Sequence, residues 1–483
     1  MDQVEPDDQT REPSRLGSWW PLGVGALAAV VLTAIVIVGS GGDDRSFPDE
    51  WDAAVLPFVE FVEEERELEF LHPVEVRFLT DEEFEADVTA DEAELTDEDR
   101  AEIDETTELF RAFGLIEGEL DLFAATNDLT GEGTLGFYRF DDQSITMRGT
   151  ELTPFVQLTL VHELTHALQD QHFEIGDRFL SIDVDDSVSG AVLTAVVEGD
   201  AQRVEFAFRE TLPGDELDDL VAEEDANLAD FEEGIEEVPT ILQTFFATPY
   251  VYGEAMLAVV DAIDGTEGID ELLRNPPPSE EALLDPWILA GDEDPIEVET
   301  PALADDEEEI DAGEVGSPSW LLLLAERVDV DVALEAADGW GGDAYVAFRR
   351  DGVVCVRVDW QGDTEADVAQ MRGALDAWVA AGPDGAASVE DRDGGLRFES
   401  CDPGEGAEGI TRDASEAALV ASITRTYAGL GFFEGGATVE EARCVGDGIL
   451  DIFDLDDLQD PEYEPTSAEQ SAIFGVVDKC VGG

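Results

Sequence analysis

Apolar residues recur at helical spacing through Glu151–Phe173, ELTPFVQLTLVHELTHALQDQHF, with Phe155, Val156, Leu158, Val161, Leu164 and Leu168 on successive turns. Thr153 can cap that helix, and Pro154 suits its first turn. Upstream, Pro48–Glu69 reads as a helix, and Pro73–Leu79 alternates as a strand with Val74, Val76 and Phe78 on one face. Acidic helical segments follow over Asp81–Leu122. Leu135–Arg148 reads as a hairpin, GFYRF and SITMR either side of Asp141-Asp142-Gln143. Downstream, Ser187–Thr211 is a second strongly apolar helix. The acidic run Asp305–Glu314 is expected to be a surface loop or linker. Trp320–Ala336 then reads as a helix, Ala344–Arg349 and Val353–Val358 as strands turned at Asp351-Gly352, Asp363–Ala381 as a helix and Leu396–Ser400 as a last strand. From Ala414 the pattern is helical to the end.

The N-terminal pattern is different. Leu16–Gly42 carries no charge, and Trp19–Val38 is long enough to cross a bilayer as a helix, with Trp19 and Trp20 at the interface. Arg11 and Arg15 before the span, with Arg45 after it, favour an N-terminus inside the cell. The expected plan is a cytoplasmic segment (1–18), a transmembrane helix (19–38), a linker (39–47), a metallopeptidase domain (48–315), a small α+β unit (316–408) and a helical, disulfide-stapled domain (409–483). On this reading the protein is a single-pass cell-membrane protein, and everything from Ser46 onward lies outside the cell; a cleavable signal peptide is the alternative.

Charge narrows the partners. Acidic residues number 119 against 24 basic ones, a formal net charge of −95, and Lys479 is the single lysine. The surplus is spread along the chain, as expected of a halophilic protein: in molar salt the Debye length falls to about 3 Å and self-repulsion is screened. Nucleic acid is excluded as a partner for such a polyanion. The four cysteines, Cys355, Cys401, Cys444 and Cys480, lack CxxC spacing and are expected to pair as neighbours, 355 with 401 and 444 with 480, because each pair falls within one structural unit.

Candidate chemistry sits in His162-Glu163-Leu164-Thr165-His166. Residues four apart share a helix face, so His162 and His166 can present two imidazoles to one zinc ion, with Glu163 as general base toward a bound water. Glu198, in Glu198-Gly199-Asp200-Ala201, lies among Ala195, Val196 and Val197. A carboxylate placed there needs a partner, and a metal would supply one, so Glu198 is the expected third ligand. Asp200 and Arg203 are candidates to orient these ligands. His172 has the spacing of a metzincin ligand, but Gln169 stands where that signature has glycine, so the helix should continue and turn His172 away. Tyr250 and Tyr252, after Pro249 in an expected loop, are candidate oxyanion donors, with core packing as the alternative. His72 is read as a turn residue.

HELTHALQDQHF, VEGDA, TPYVYGEAM from Thr248, PPPSEEALLDP from Pro276 and ADGWGGDAYV from Ala337 resemble, in this order, a group of poorly characterised bacterial and archaeal metallopeptidases of the gluzincin type, over Pro48–Trp378. The resemblance implies His162, His166 and Glu198 as zinc ligands and Glu163 as the catalytic base. It departs at Asp285-Pro286, where members tend to have histidine before the proline. The expected fold class is α+β: a zincin-like domain with its active-site helix beside a small mixed sheet, a small α+β unit and a C-terminal helical bundle, preceded by one transmembrane helix. The expected function is a membrane-anchored zinc endopeptidase acting on peptide or protein substrates. The alternative is a non-catalytic zinc-containing envelope protein with a binding or structural role.

Overall fold

In the computed structural model, which describes residues 47–181, 187–291, 295–407, 411–450, 452–453, 463 and 465–481, the described chain forms 16 α-helices and two sheets. Helix α1 (Leu56–Arg66) leads to strand β1 (Glu75–Leu79). Helices α2 (Asp81–Val88) and α3 (Asp97–Phe113) each start at a threonine capping box, Thr80 with Glu83 and Thr96 with Asp99, which satisfies backbone donors that a first turn leaves open. After α4 (Leu122–Gly133), β2 (Gly136–Arg139) and β3 (Ser144–Arg148) form the expected antiparallel hairpin. Strand β1 joins it parallel to β3, giving the order β1-β3-β2 and leaving β2 on an edge.

Four helices carry the chain around this sheet: α5 (Pro154–Phe173), α6 (Ile175–Ser181), α7 (Ser187–Thr211) and α8 (Gly214–Gly234). The Thr153 side chain caps α5 by accepting from the Val156 N–H. Helix α9 (Thr240–Arg274) runs for 35 residues through Pro249 and changes direction at Gly265, whose φ of 66° suits glycine alone. The short α10 (Glu281–Leu284) follows.

The second sheet is antiparallel throughout. It contains β4 (Glu308–Gly313), β5 (Trp340–Arg350), β6 (Val353–Gly362), β7 (Ala387–Arg392) and β8 (Gly395–Cys401) in the order β4-β5-β6-β8-β7. The acidic run read as a linker is instead β4 and its lead-in. Glu307 is held there by Arg350 and Arg357, just before the strand pairs with β5, and Glu308 and Glu309 stay exposed on the sheet edge. Asp351 and Gly352 both have positive φ, 53° and 84°, as the tight turn between β5 and β6 requires. Strand β7 was not expected: its sequence, ASVEDR, is charged and mostly exposed, a pattern typical of a protected edge rather than of a core strand.

Helices α11 (Ser317–Ala325), α12 (Val330–Ala337) and α13 (Glu365–Ala381) pack on this sheet, the first two replacing the single helix expected over Trp320–Ala336. All nine residues of α11, SPSWLLLLA, are buried, and each of its leucines contributes about 1.5–3 kcal/mol by leaving water. Trp320 and Trp378 meet Phe398 of β8 edge to face. Helices α14 (Ser415–Glu434), α15 (Val439–Leu450) and α16 (Ser467–Val481) complete the chain. The two neighbour disulfides are present as expected: Cys355–Cys401 joins paired positions of β6 and β8, and Cys444–Cys480 joins α15 to α16. Helix α14 lies on α9, with Ser415 bonded to Thr244 and Ser422 to Tyr252, each at 3.1 Å. One hydrophobic core extends from Val55 to Ala421 across both sheets.

Two expectations are corrected. The α+β class with a zincin-like domain behind a transmembrane helix gives way to a mixed α/β chain with two sheets, and no helix among the described residues is long and apolar enough to cross a membrane. Its most apolar helix, α11, is nine residues long, and the long α9 carries acidic residues from Glu254 to Glu271. The proposed span Trp19–Val38 lies outside the described residues. The placement as a single-pass membrane protein with an extracellular domain is corrected to the same extent: no helix among the described residues is long and apolar enough to carry it.

Candidate metal centre

Helix α5 sets His162 and His166 one turn apart, with ring centroids separated by 4.7 Å. Helix α7 supplies Glu198 opposite them. Its depth there depends on two glycines where α7 crosses α9: a Cβ on Gly199 would overlap the Gly253 carbonyl, and a Cβ on Gly253 would overlap the Ala195 carbonyl. Backbones can approach this closely only without side chains. The Oε2 atom of Glu198 lies 3.1 Å from Nε2 of His162 and 3.5 Å from Nε2 of His166, and one ligand atom from each of the three residues falls within 4.8 Å of the others.

The outer ring nitrogens are tied down. His162 Nδ1 lies 3.0 Å from Glu205 Oε2, and His166 Nδ1 lies 3.0 Å from Gln169 Oε1. Both partners accept, so each Nδ1 carries a hydrogen and each Nε2 is the ring atom turned toward Glu198. Gln169 is itself fixed, because its Nε2 donates to the Val197 carbonyl and to Asp200, both at 2.9 Å. Asp200 pairs with the buried Arg66 at 3.0 Å, which also reaches Asp270 at 2.8 Å. Asp200 therefore supports His166 through Gln169. Arg203 bonds Glu65 and Asp200 and touches neither histidine. Glu205 and Gln169 were missed in the sequence, although each had a signal: Glu205 is seven residues beyond Glu198 on the same helix face, and Gln169 is three beyond His166.

The electrostatics of the group suit a cation. Glu198 is wholly buried, and its Oε1 has no hydrogen-bond partner. Burial acts to raise its pKa, but the attraction of His166 and the bonds to both histidines outweigh that and hold it at about 2. Burial pushes His162 and His166 down, and Glu198 more than reverses the effect, with Glu205 adding to it at His162. As the chain stands, the raised histidines supply the positive charge that balances Glu198; a metal ion would take that place by displacing their Nε2 hydrogens, and the partnerless Oε1 offers it a further ligand atom. The buried group His162, His166 and Glu198 could bind a metal ion.

Glu163 is buried on the cleft side of α5. Burial raises its pKa, the two histidines lower it, and Glu198 and Glu205 add to the rise. Its neighbour across the gap is Gly136 of the edge strand β2, where a Cβ would lie 2.9 Å from Glu163 Cγ. The loop expected around Tyr250 and Tyr252 is part of α9. Tyr252 is buried against Ser422, whereas Tyr250 faces the cleft 6.4 Å from the His162 ring. Burial and three carboxylates raise the Tyr250 pKa well above the phenol range, which keeps its proton on. His172 is turned away and bonds the Glu69 carbonyl at 2.8 Å; His72 stacks on Phe47; and Asp285 caps the Trp287 N–H outside the cleft.

The three ligand-type residues open on a cleft of about 700 Å³ bounded by α4, β2, α5, α7, α8, α9 and α14. Residues 302–429 match the model of a family described as a domain of unknown function, DUF8575. No curated protein and no solved structure matches the chain. The matched stretch holds the second sheet and reaches the cleft through Glu416 and Leu419 of α14, while His162, Glu163, His166 and Glu198 all lie before it.

Proposed function

We propose that this chain is a zinc-dependent peptidase that hydrolyses peptide bonds with Glu163 as general base. The observation that carries the reading is the open Oε1 of the buried Glu198, opposite two histidines whose Nε2 atoms are presented by fixed Nδ1 partners. Two imidazoles and one carboxylate match the ligand set of catalytic zinc sites, which keep one position for water or substrate. Zinc held there supplies a Lewis acid that acidifies a water and polarises a carbonyl. The remaining work falls to side chains. Glu163, with a raised pKa, is suited to take the proton of the attacking water and return it to the leaving amine. Tyr250 keeps its hydroxyl hydrogen and borders the cleft beside the histidines, where it can donate to the developing oxyanion.

The test is Glu163→Gln in molar salt. The substitution keeps the size of the side chain and removes its basicity, so zinc content should match the parent while hydrolysis of unstructured peptides falls by roughly a hundredfold or more. Unchanged turnover would sink the mechanism. Cleavage by the parent should also stop with a chelator and return with zinc.

A further inference from the structure

Resting on the peptidase reading, we propose that the cleft selects peptide segments carrying a cationic nitrogen beside an apolar side chain, and that it does not read a terminal carboxylate. The cleft has no arginine or lysine among its lining residues, so a chain-terminal carboxylate would find no guanidinium or ammonium to pair with there and would face several glutamates. Three exposed glutamates stand at its mouth, each from a different element: Glu132 from α4, Glu232 from α8 and Glu416 from α14. None of the three forms an ion pair among the described residues, whereas Glu224, deeper on α8, is paired with Arg209 and Glu205 is engaged by His162. A guanidinium, an ammonium or a free amino terminus entering the cleft would meet carboxylates that have no ion-pair partner of their own among the described residues.

The walls of the cleft carry several apolar side chains. Phe155, Phe231 and Phe246 are half-buried and Leu228 is 56 % exposed, so an apolar side chain entering the cleft would cover them. A polyanion attracts cations everywhere, so the cleft's own contribution has to be separated from the general field. Molar salt does this: with a Debye length near 3 Å, distant charge is screened and pairs in direct contact survive.

The experiment measures binding to the full-length, zinc-loaded Glu163→Gln protein in molar salt, using fluorescent peptides that differ at one position beside an apolar residue: Arg, Lys, Gln or Glu. Each peptide is prepared with free and with acetylated amino terminus, and with free and with amidated carboxyl terminus. The Arg and Lys peptides should bind at least about tenfold tighter than the Glu peptide, and amidation should not weaken binding. Acetylation separates the two cation sources: it leaves the order intact if side chains are read, and removes most of the affinity of the Gln peptide if the amino terminus is read. Replacing Glu132, Glu232 and Glu416 together with Gln should erase the preference. Replacing Asp384, Glu390 and Asp393 with their amides, at positions that do not line the cleft, should leave it. Equal or tighter binding of the Glu peptide, loss of binding on amidation, or an unchanged preference in the Glu132/Glu232/Glu416 variant would overturn the inference. Because binding is read in a variant that cannot hydrolyse, absence of cleavage by the parent bears on the peptidase reading alone.

Discussion

Glu198 on α7 and Asp343 on β5 are both buried carboxylates, and their surroundings differ in one respect. Asp343 accepts from four donors: the backbone N–H groups of Val315 and Gly316, and the indole N–H groups of Trp320 and Trp340, at 2.6–3.2 Å. Its lone pairs are filled by hydrogens fixed in the fold. Glu198 faces the Nε2 atoms of two histidines through Oε2, and its Oε1 meets no donor. Burial costs both groups alike. One is offset inside the protein and stitches α11 to the second sheet. The other is balanced by two titratable histidines, whose Nε2 hydrogens a metal ion can replace. Buried charge alone therefore does not mark a functional site; an incomplete set of partners does.

The sharpest way to break this comparison is to delete each carboxylate and ask what is lost. In Glu198→Ala, zinc affinity should fall by roughly a thousandfold or more, since one ligand carries a large share of the about 10–16 kcal/mol with which structural sites hold zinc. The fold should persist. His172→Ala, at a residue that faces Glu69 and not the centre, should keep the metal. Metal analysis and far-UV circular dichroism in molar salt read both results. If Glu198→Ala keeps its zinc and His172→Ala loses it, the ligand set is wrong.

Asp343→Ala should behave in the opposite way. Four buried donors lose their acceptor, so stability should drop by about 3–5 kcal/mol in denaturant unfolding, while the fraction that remains folded binds zinc as the parent does. Comparable destabilisation in Glu198→Ala would mean that both carboxylates are structural.

The smallest of these effects depends on pH. Glu326, just after α11, has an Oε1 without a partner, and burial together with the charge of Asp413 lifts it to about 7. The folded form therefore holds a proton that an unfolded carboxyl releases near its usual value of 4.5. Stability should be complete below that pH, fall by about 3 kcal/mol as pH rises to 7, and level off above it. Glu326→Gln should remove this slope and exceed the parent in stability at pH 8. A parallel pH profile for parent and variant would show that the group ionises without penalty.

What the sequence determined by itself was local. The four-residue spacing of His162 and His166 places both rings on one helix face whatever surrounds them, because the helix repeat is set by backbone geometry. A glutamate among Ala195, Val196 and Val197 signals its own need for a partner, and short loops with alternating apolar residues marked the β2–β3 hairpin and the turn at Asp351-Gly352. Neighbouring cysteines could be paired because each pair lies within one unit. Only the tertiary structure decided what depends on distant segments meeting. The parallel pairing of β1 with β3 has no signature in either strand. The acidic run at 305–314 reads as solvated until Arg350 and Arg357 arrive from β5 and β6 to hold Glu307, just before β4 pairs with β5. The depth of Glu198 is set by Gly199 and Gly253 meeting 54 positions apart in the chain, and the cleft by α4, α8 and α14 closing around it. Residue spacing encodes direction along one element, whereas the partner across a gap is chosen by the packing of the whole core.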